Sequence, residues 1–202
     1  MSRGFRKASR WKKLRVLWTL SFLLLSAVAI QPMGLPSQET TALLTQALTQ
    51  LDLALEQAVY AHVRFPLEDL KAHAHIVLNI LEGRSGPDFD PVYDAGDGIG
   101  VFQYVQQIRQ TPEIEKAKED PRLTLESALE NVLFCLEQTV IHTRSAITQS
   151  QLEAAQGEMR QALAFLSAAK GREKELLTAA SGLLGIKAKV IEGGEPTTPE
   201  NK

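Results

Sequence analysis

The side chains that could do chemistry are concentrated between residues 73 and 97. Two of the four histidines stand two positions apart, and four aspartates follow them closely along the chain: His73, His75, Asp88, Asp90, Asp94 and Asp97. Imidazole and carboxylate ligands together suit divalent metals such as Zn, Cu, Ni or Mn. The sequence therefore offers these six residues as a candidate metal site for a divalent metal, and it implies no cofactor firmly.

The spacing of these residues weakens a shared site. Residues two positions apart on an α-helix point about 200° away from each other, so His73 and His75 cannot chelate one ion from a regular helix. We expect the two histidines to lie on opposite flanks of their helix, where each contacts a different neighbouring helix or bonds to backbone or water. The acidic loop also fails the EF-hand pattern, because counting from Asp88 puts Val92 and Tyr93 where that motif needs an oxygen ligand and a glycine. A calcium site built from the carboxylates alone stays open.

Enzyme chemistry is not predicted. Cys135, the only cysteine, shares a helix face with His142, but seven residues of helical rise separate them by about 10.5 Å. That distance exceeds the hydrogen-bond reach that a nucleophilic pair needs. Cys135 lies in an apolar stretch and is expected to be a small buried hydrophobe. His62 continues an apolar helix seam, and we expect it to be a hydrogen-bonded histidine near the rim of the core.

The first 29 residues have the layout of a secretory signal peptide. They carry seven Lys or Arg and no Asp or Glu, and a 15-residue apolar run from Val16 to Ile30 follows the basic head. The small residues Ala27 and Ala29 predict cleavage after Ala29. The alternative is an uncleaved membrane anchor at residues 16–30, although a spanning helix needs roughly 20 apolar residues. Either way, the rest of the chain is expected to be extracytoplasmic, in a periplasm, in a lumen or secreted.

The charge balance points away from nucleic acid. The whole chain has 22 basic and 24 acidic residues, a formal net charge of −2. Removal of the head takes away seven of the basic residues, which leaves 15 against 24 acidic ones and a net charge of −9. A nucleic-acid-binding domain needs a basic face to neutralise phosphates. We therefore expect no nucleic-acid partner and no membrane contact beyond the N-terminal segment, while a protein partner or self-association stays open.

Helical periodicity dominates the chain beyond the head. Apolar residues recur at spacings of three and four, and no stretch of four or more residues alternates as a strand would. We predict an all-α antiparallel bundle of four core helices, with a candidate fifth, over residues 39–191. An extended spacer at 30–38 precedes the bundle, and a disordered tail at 192–202 follows it.

A long loop rich in Gly, Pro and Asp interrupts the helical pattern at residues 83–97. Loops of this length in compact domains are usually functional or disordered. Three apolar or aromatic side chains, Phe89, Val92 and Tyr93, indicate that this loop packs against the domain rather than extending into solvent.

Local signals predict where the helices begin and end. Pro66 is expected to separate the first two helices, which fold back as an antiparallel pair, and Gly83 to end the second. We expect Asp97 to cap the third helix. The pair Asp120-Pro121 is expected to open the fourth, and a capping box from Ser150 to Glu153 the fifth.

The function favoured by these observations is an exported helical-bundle binding or structural module without catalytic activity. The alternative is an extracytoplasmic metal- or cofactor-binding protein that uses the His73/His75 helix and the acidic 88–97 loop.

Overall fold

The computed structural model describes residues 38–117, 125–171 and 182–192. The helices in these ranges are α1 (Gln38–Val63), α2 (Leu67–Glu82), α3 (Val101–Arg109), α4 (Pro112–Ala117), α5 (Leu125–Thr148), α6 (Leu152–Lys170) and α7 (Gly182–Glu192). A short 3₁₀ helix, Pro91–Tyr93, lies between α2 and α3. The described residues contain no β-strand, so the predicted all-α fold is confirmed.

Four long helices, α1, α2, α5 and α6, form the bundle. The α5–α6 pair has the most extensive packing, and α1 packs against both α2 and α6. The α1–α6 pair is antiparallel, because His62 near the end of α1 meets Gln156 near the start of α6, whereas Asp52 pairs with Lys170 at the end of α6. The short helices close the sides: α3 lies against α1, and α7 lies against α5 and α1.

The core seam of α6 alternates between small and large side chains. Its inward residues are all fully buried: Ala155, Met159, Ala162, Leu166 and Ala169. Alanine at every second seam position lets the neighbouring helices approach closely, while the larger side chains fill the space between them. The spacings of three and four residues in the sequence predict this seam, together with Leu152, which is only partly buried.

Two predicted helix boundaries are confirmed. Pro66 separates α1 from α2, which pack against each other, and Gly83 ends α2 with a positive φ of 71° and a hydrogen bond from its N–H to the Asn79 carbonyl. The start predicted at Asp120-Pro121 lies outside the described residues. So do the predicted head and cleavage site, residues 30–37 of the spacer and residues 193–202 of the tail. Within the described ranges, no helix combines the length and hydropathy needed to cross a membrane.

Two predicted helix caps are wrong. Helix α3 begins at Val101 after Gly100, because the carboxylate of Asp97 accepts instead from the Ile99 amide of the loop and from the hydroxyl of Tyr104 on α3. Helix α6 has Gln151 as its N-cap, with no capping hydrogen bond from a side chain. The turn between α5 and α6 is so short that the extended cap residue falls one position after Ser150.

Candidate functional site

The two clustered histidines face in different directions, as their spacing predicts. The Nδ1 atom of His73 lies 2.8 Å from Oε1 of Gln57 on α1, and the ring lies 5.4 Å from that of Tyr60. Burial, assisted by nearby Arg64, lowers the pKa of His73. His75 lies on the other flank of α2 and stacks on Tyr93 of the long loop, with ring centroids 5.0 Å apart. The loop therefore packs beside one histidine and away from the other.

Each of the four loop aspartates has a protein partner. Asp88 accepts a hydrogen bond from Arg144, and Asp94 forms a 2.8 Å ion pair with Arg84. Asp90 accepts from the Val92 amide at 2.9 Å, and Asp97 from the Tyr104 hydroxyl at 2.6 Å. Within the described residues, no three His, Cys, Asp or Glu side chains are grouped so that they could hold a metal ion. The six candidate ligands thus share a region of the fold without forming a common cluster.

The loop has a narrow neck in which two glycines meet. Gly83 and Gly100 have positive φ angles of 71° and 95°. A Cβ atom on Gly100 would lie 2.5 Å from the carbonyl carbon of Glu82, and one on Gly83 would collide with the Ile99 carbonyl. Only glycine allows this approach of backbone to backbone. Above the neck, the Arg84 amide donates to the Gly98 carbonyl at 2.9 Å. Residues 83–100 therefore form an Ω-loop, whose ends are close together and whose interior is packed; we call it the Ω-loop.

Three clamps, by which we mean side chains that bond the Ω-loop to the bundle, hold the loop in place. The first clamp is a buried asparagine on α2, which holds the middle of the Ω-loop. Asn79 is only 1% exposed. Its Nδ2 donates to the Asp90 carbonyl at 2.7 Å, and its Oδ1 accepts from the Asp90 amide at 2.9 Å. The side-chain amide thus both donates to and accepts from the backbone of one residue, as a residue on a neighbouring β-strand would. It satisfies loop groups that would otherwise be desolvated without a partner.

A second clamp holds the end of the Ω-loop near α3. The Asp97 amide donates to Oε1 of Gln50, a buried residue of α1, at 3.3 Å. The carboxylate of Asp97 accepts hydrogen bonds from the Ile99 amide and from the hydroxyl of buried Tyr104. Burial, together with the hydrogen bond to Asp97, raises the pKa of Tyr104 to about 12. This hydroxyl therefore stays protonated and remains a donor at any physiological pH.

A third clamp is ionic and joins the Ω-loop to α5. The side chain of Glu82 is 7% exposed and accepts from the Asp88 amide at 3.0 Å. Arg144 on α5 donates to Glu82 at 3.0 Å and also to the Asp88 carboxylate. Burial is the largest cause that raises the pKa of Glu82. The guanidinium therefore compensates a carboxylate that has lost most of its water.

We expect Arg144→Ala to destabilise the protein more at pH 7 than at pH 4. The pKa of Glu82 is higher in the folded protein than its ordinary value near 4.5. Folding therefore becomes less favourable as pH rises through the folded-state pKa and Glu82 ionises. Loss of Arg144 increases this cost of ionisation, and the cost is absent at low pH, where Glu82 is protonated. Because Arg144 is half-exposed, we expect a loss of about 1–2 kcal/mol at pH 7, below the range for fully buried pairs.

Urea unfolding of both proteins at the two pH values measures this difference. Arg160→Ala, an exposed site on α6, is the matched control and should change neither value by more than about 0.5 kcal/mol. An equal loss at pH 4 and pH 7 for Arg144→Ala would show that Glu82 is not the group that Arg144 compensates.

The Ω-loop presents an apolar tip. Val92 is 79% exposed within the 3₁₀ helix Pro91–Tyr93, whereas Phe89 and Tyr93 are half-buried. The loop packs against the domain, as expected, through backbone hydrogen bonds and its two aromatic residues, whereas Val92 is exposed. The reason is that stacking on His75 fixes Tyr93 inward, and Val92, one position earlier in the tight turn, projects outward.

The other singled-out residues have structural partners. The Nδ1 atom of half-buried His62 lies 3.2 Å from the Gln156 carbonyl, so its predicted place as a bonded histidine at the core rim is confirmed. His142 lies 2.7 Å from Glu158 and stacks on Phe165. Cys135 is half-buried and packs against the core, less completely than predicted.

The thiol of Cys135 is expected to react slowly. Burial raises its pKa, so less thiolate is present near neutral pH, and the thiolate is the reactive form. We expect a disulfide reagent at pH 8 to modify the folded protein at least about tenfold more slowly than the urea-unfolded chain. Equal rates in the two states would contradict the half-buried position.

Comparison of the chain with family models, with curated proteins and with solved structures finds no match. The class of protein defined on physical grounds is an all-α bundle that carries one clamped Ω-loop.

Proposed function

We propose that this protein is an exported, non-catalytic binding module that recognises a protein partner through the tip of its Ω-loop. The observation that carries this proposal is the combination of three clamps, on Asn79, Gln50 and Glu82, with an exposed valine at the tip. Binding residues are often found on loops that a rigid scaffold positions.

The clamps reduce the entropic cost of binding. A long loop that must order on contact with a partner loses conformational freedom at that moment, and affinity falls accordingly. In this protein the loop loses its conformational freedom when the chain folds, before any partner binds, because Asn79 and Gln50 of the bundle bond to the loop backbone. The partner then meets a surface that is already in its bound form.

The polar groups of the loop favour binding over catalysis. The carboxylates of Asp88, Asp90, Asp94 and Asp97 accept hydrogen bonds or ion pairs from residues of the protein itself. Their bonding capacity maintains the loop conformation, and the exposed side chains at the tip, Pro91 and Val92, are apolar. The partner that fits such a tip is a protein with a small apolar pocket.

A photo-crosslinking residue placed at position 92, in the cells that produce the protein, tests this function. We expect a discrete protein adduct from position 92 and none from position 134, an exposed apolar site on α5. Val92→Asp should weaken recovery of the same partner at least about tenfold, since a desolvated valine contributes roughly 1.5–3 kcal/mol. Adducts from position 134 alone, or unchanged recovery with Val92→Asp, would refute the proposal.

Export is the second part of the proposal and rests on the basic head with its short apolar run. The test is the N-terminal residue of the purified protein. We expect Ile30, which would follow cleavage after Ala29. A chain that begins at Met1 or Ser2 and sediments with membranes would favour the anchor at residues 16–30 instead.

The alternative, metal or cofactor binding, is favoured by one observation. The Nδ1 atom of His75 is buried and has no hydrogen-bond partner within the described part of the chain, and it lies beside the loop that carries the four aspartates. Metal analysis of the purified protein, and thermal unfolding with added Zn, Cu or Ca, test this alternative. Stoichiometric metal that is lost in His75→Ala but kept in His62→Ala would favour it, and the absence of metal and of any thermal shift would remove it.

A further inference from the structure

A groove lies on the side of the bundle formed by α1, α6 and α7. Its volume is about 620 Å³, within the range of about 300–1,000 Å³ typical of small-molecule sites. Three leucines, Leu48, Leu55 and Leu184, contribute an apolar lining. The groove is separate from the Ω-loop, because none of its lining residues belongs to positions 83–100.

The hydroxyl groups that line this groove do not offer it hydrogen-bond donors. Thr45, Thr49 and Ser167 each donate to a carbonyl one turn earlier in their own helix, at 2.8–2.9 Å. These hydroxyl hydrogens are therefore already used in hydrogen bonds within the helices. The three hydroxyls offer the groove acceptor oxygens, and the two threonines also offer methyl groups. A ligand with many acceptors, such as a sugar or a nucleotide, would therefore find few partners along this wall.

Of the two lysines that line the groove, one has no partner among the described residues. Lys170 at the end of α6 is paired with Asp52 of α1 at 2.5 Å. Lys187 of α7 also lines the groove, is half-buried, and has no hydrogen bond or ion pair among the described residues. In a chain with a net negative charge, this lysine is a local site for an anionic group next to an apolar surface.

We propose that this groove binds a single-chain amphiphile with a carboxylate head group. The carboxylate pairs with the ammonium group of Lys187, and the alkyl chain covers the three leucines. Each part of the ligand matches a feature of the groove. The carboxylate matches the lysine that has no partner among the described residues, and the alkyl chain matches the leucines, which lie beside hydroxyl groups that donate within their own helices.

Calorimetric titration of the purified protein with decanoate, below its micelle concentration, tests the proposal. We expect saturable binding of one decanoate per chain, and weaker binding of decanol, which has the same chain without the charge. Lys187→Met should weaken decanoate binding about fivefold and leave decanol binding unchanged. Lys71→Met on α2, outside the groove, is the matched control and should bind decanoate as the unmodified protein does.

Three results would overturn the proposal. They are the absence of saturable decanoate binding, equal affinity for decanol and decanoate, and unchanged affinity in Lys187→Met. Circular dichroism of each variant shows that the bundle is folded, so a loss of binding reports on the groove. None of these outcomes depends on the Ω-loop, so the groove and the Ω-loop are tested independently.

Discussion

Gly100→Ala is expected to lower the free energy of unfolding by about 3 kcal/mol. The residue has a φ of 95° and a ψ of 141°, a backbone region that is nearly restricted to glycine and costs a residue with a Cβ atom about 1–3 kcal/mol. The added carbon would also lie 2.5 Å from the Glu82 carbonyl carbon and 2.6 Å from the Gly83 nitrogen. Both are backbone atoms, so no side chain can rotate away.

Urea unfolding monitored by circular dichroism measures this loss. Gly157→Ala is the matched control, because a Cβ at that position in α6 would meet nothing within 4 Å. There the same substitution should stabilise the protein by about 0.5–1 kcal/mol, since alanine is the better helix former. Equal effects at the two positions would mean that the neck of the Ω-loop is not closed as described.

Asn79→Ala is expected to cost about 2–3 kcal/mol, because it removes two hydrogen bonds and leaves the Asp90 amide without its partner. Asn79 pairs with both the amide and the carbonyl of Asp90, and only the carbonyl keeps a second hydrogen bond, from the Tyr93 amide at 3.0 Å. The middle of the Ω-loop should then detach from α2 while the four long helices remain. Urea unfolding gives the loss of stability, and the exchange rate of the Asp90 amide gives the detachment.

Gln106→Ala on the exposed face of α3 is the control for Asn79→Ala and should alter stability by less than about 0.5 kcal/mol.

A clamp that acts only on stability would leave partner binding intact in the folded variant. We expect instead that Asn79→Ala also weakens adduct formation from position 92. An Asn79→Ala protein that is less stable but still binds the partner normally would show that the Asn79 clamp is not needed for the proposed function.

The helical architecture could be predicted because it depends on local and periodic information. The spacing of the α6 seam identifies every buried residue from Ala155 to Ala169, and Pro66 and Gly83 determine where helices stop by their own backbone restrictions. Caps were less predictable. Asp97 has the residue type of an N-cap, but Tyr104 and the Ile99 amide compete for its carboxylate and prevail.

The location of the candidate site could be predicted, whereas its chemistry could not. The cluster from His73 to Asp97 marks the correct region, but two bonds that fix its aspartates come from distant positions. Asp88 bonds to Arg144, 56 residues later, and Asp97 bonds to Gln50, 47 residues earlier. Periodicity does not report such pairings. One signal was present, because Asn79 is polar in the middle of a buried apolar turn of α2.

The most direct test is hydrogen exchange of the Ω-loop amides in the free protein, since the central claim is that the recognition surface is formed before any partner binds. Four of the loop amides donate to acceptors six or more positions away along the chain: those of Arg84, Asp88, Asp90 and Asp97. We expect all four to be protected in the free protein, and the Asp90 amide to lose protection in Asn79→Ala. Exchange of these amides at the rate of an unstructured peptide, while α2 and α5 stay protected, would contradict the claim.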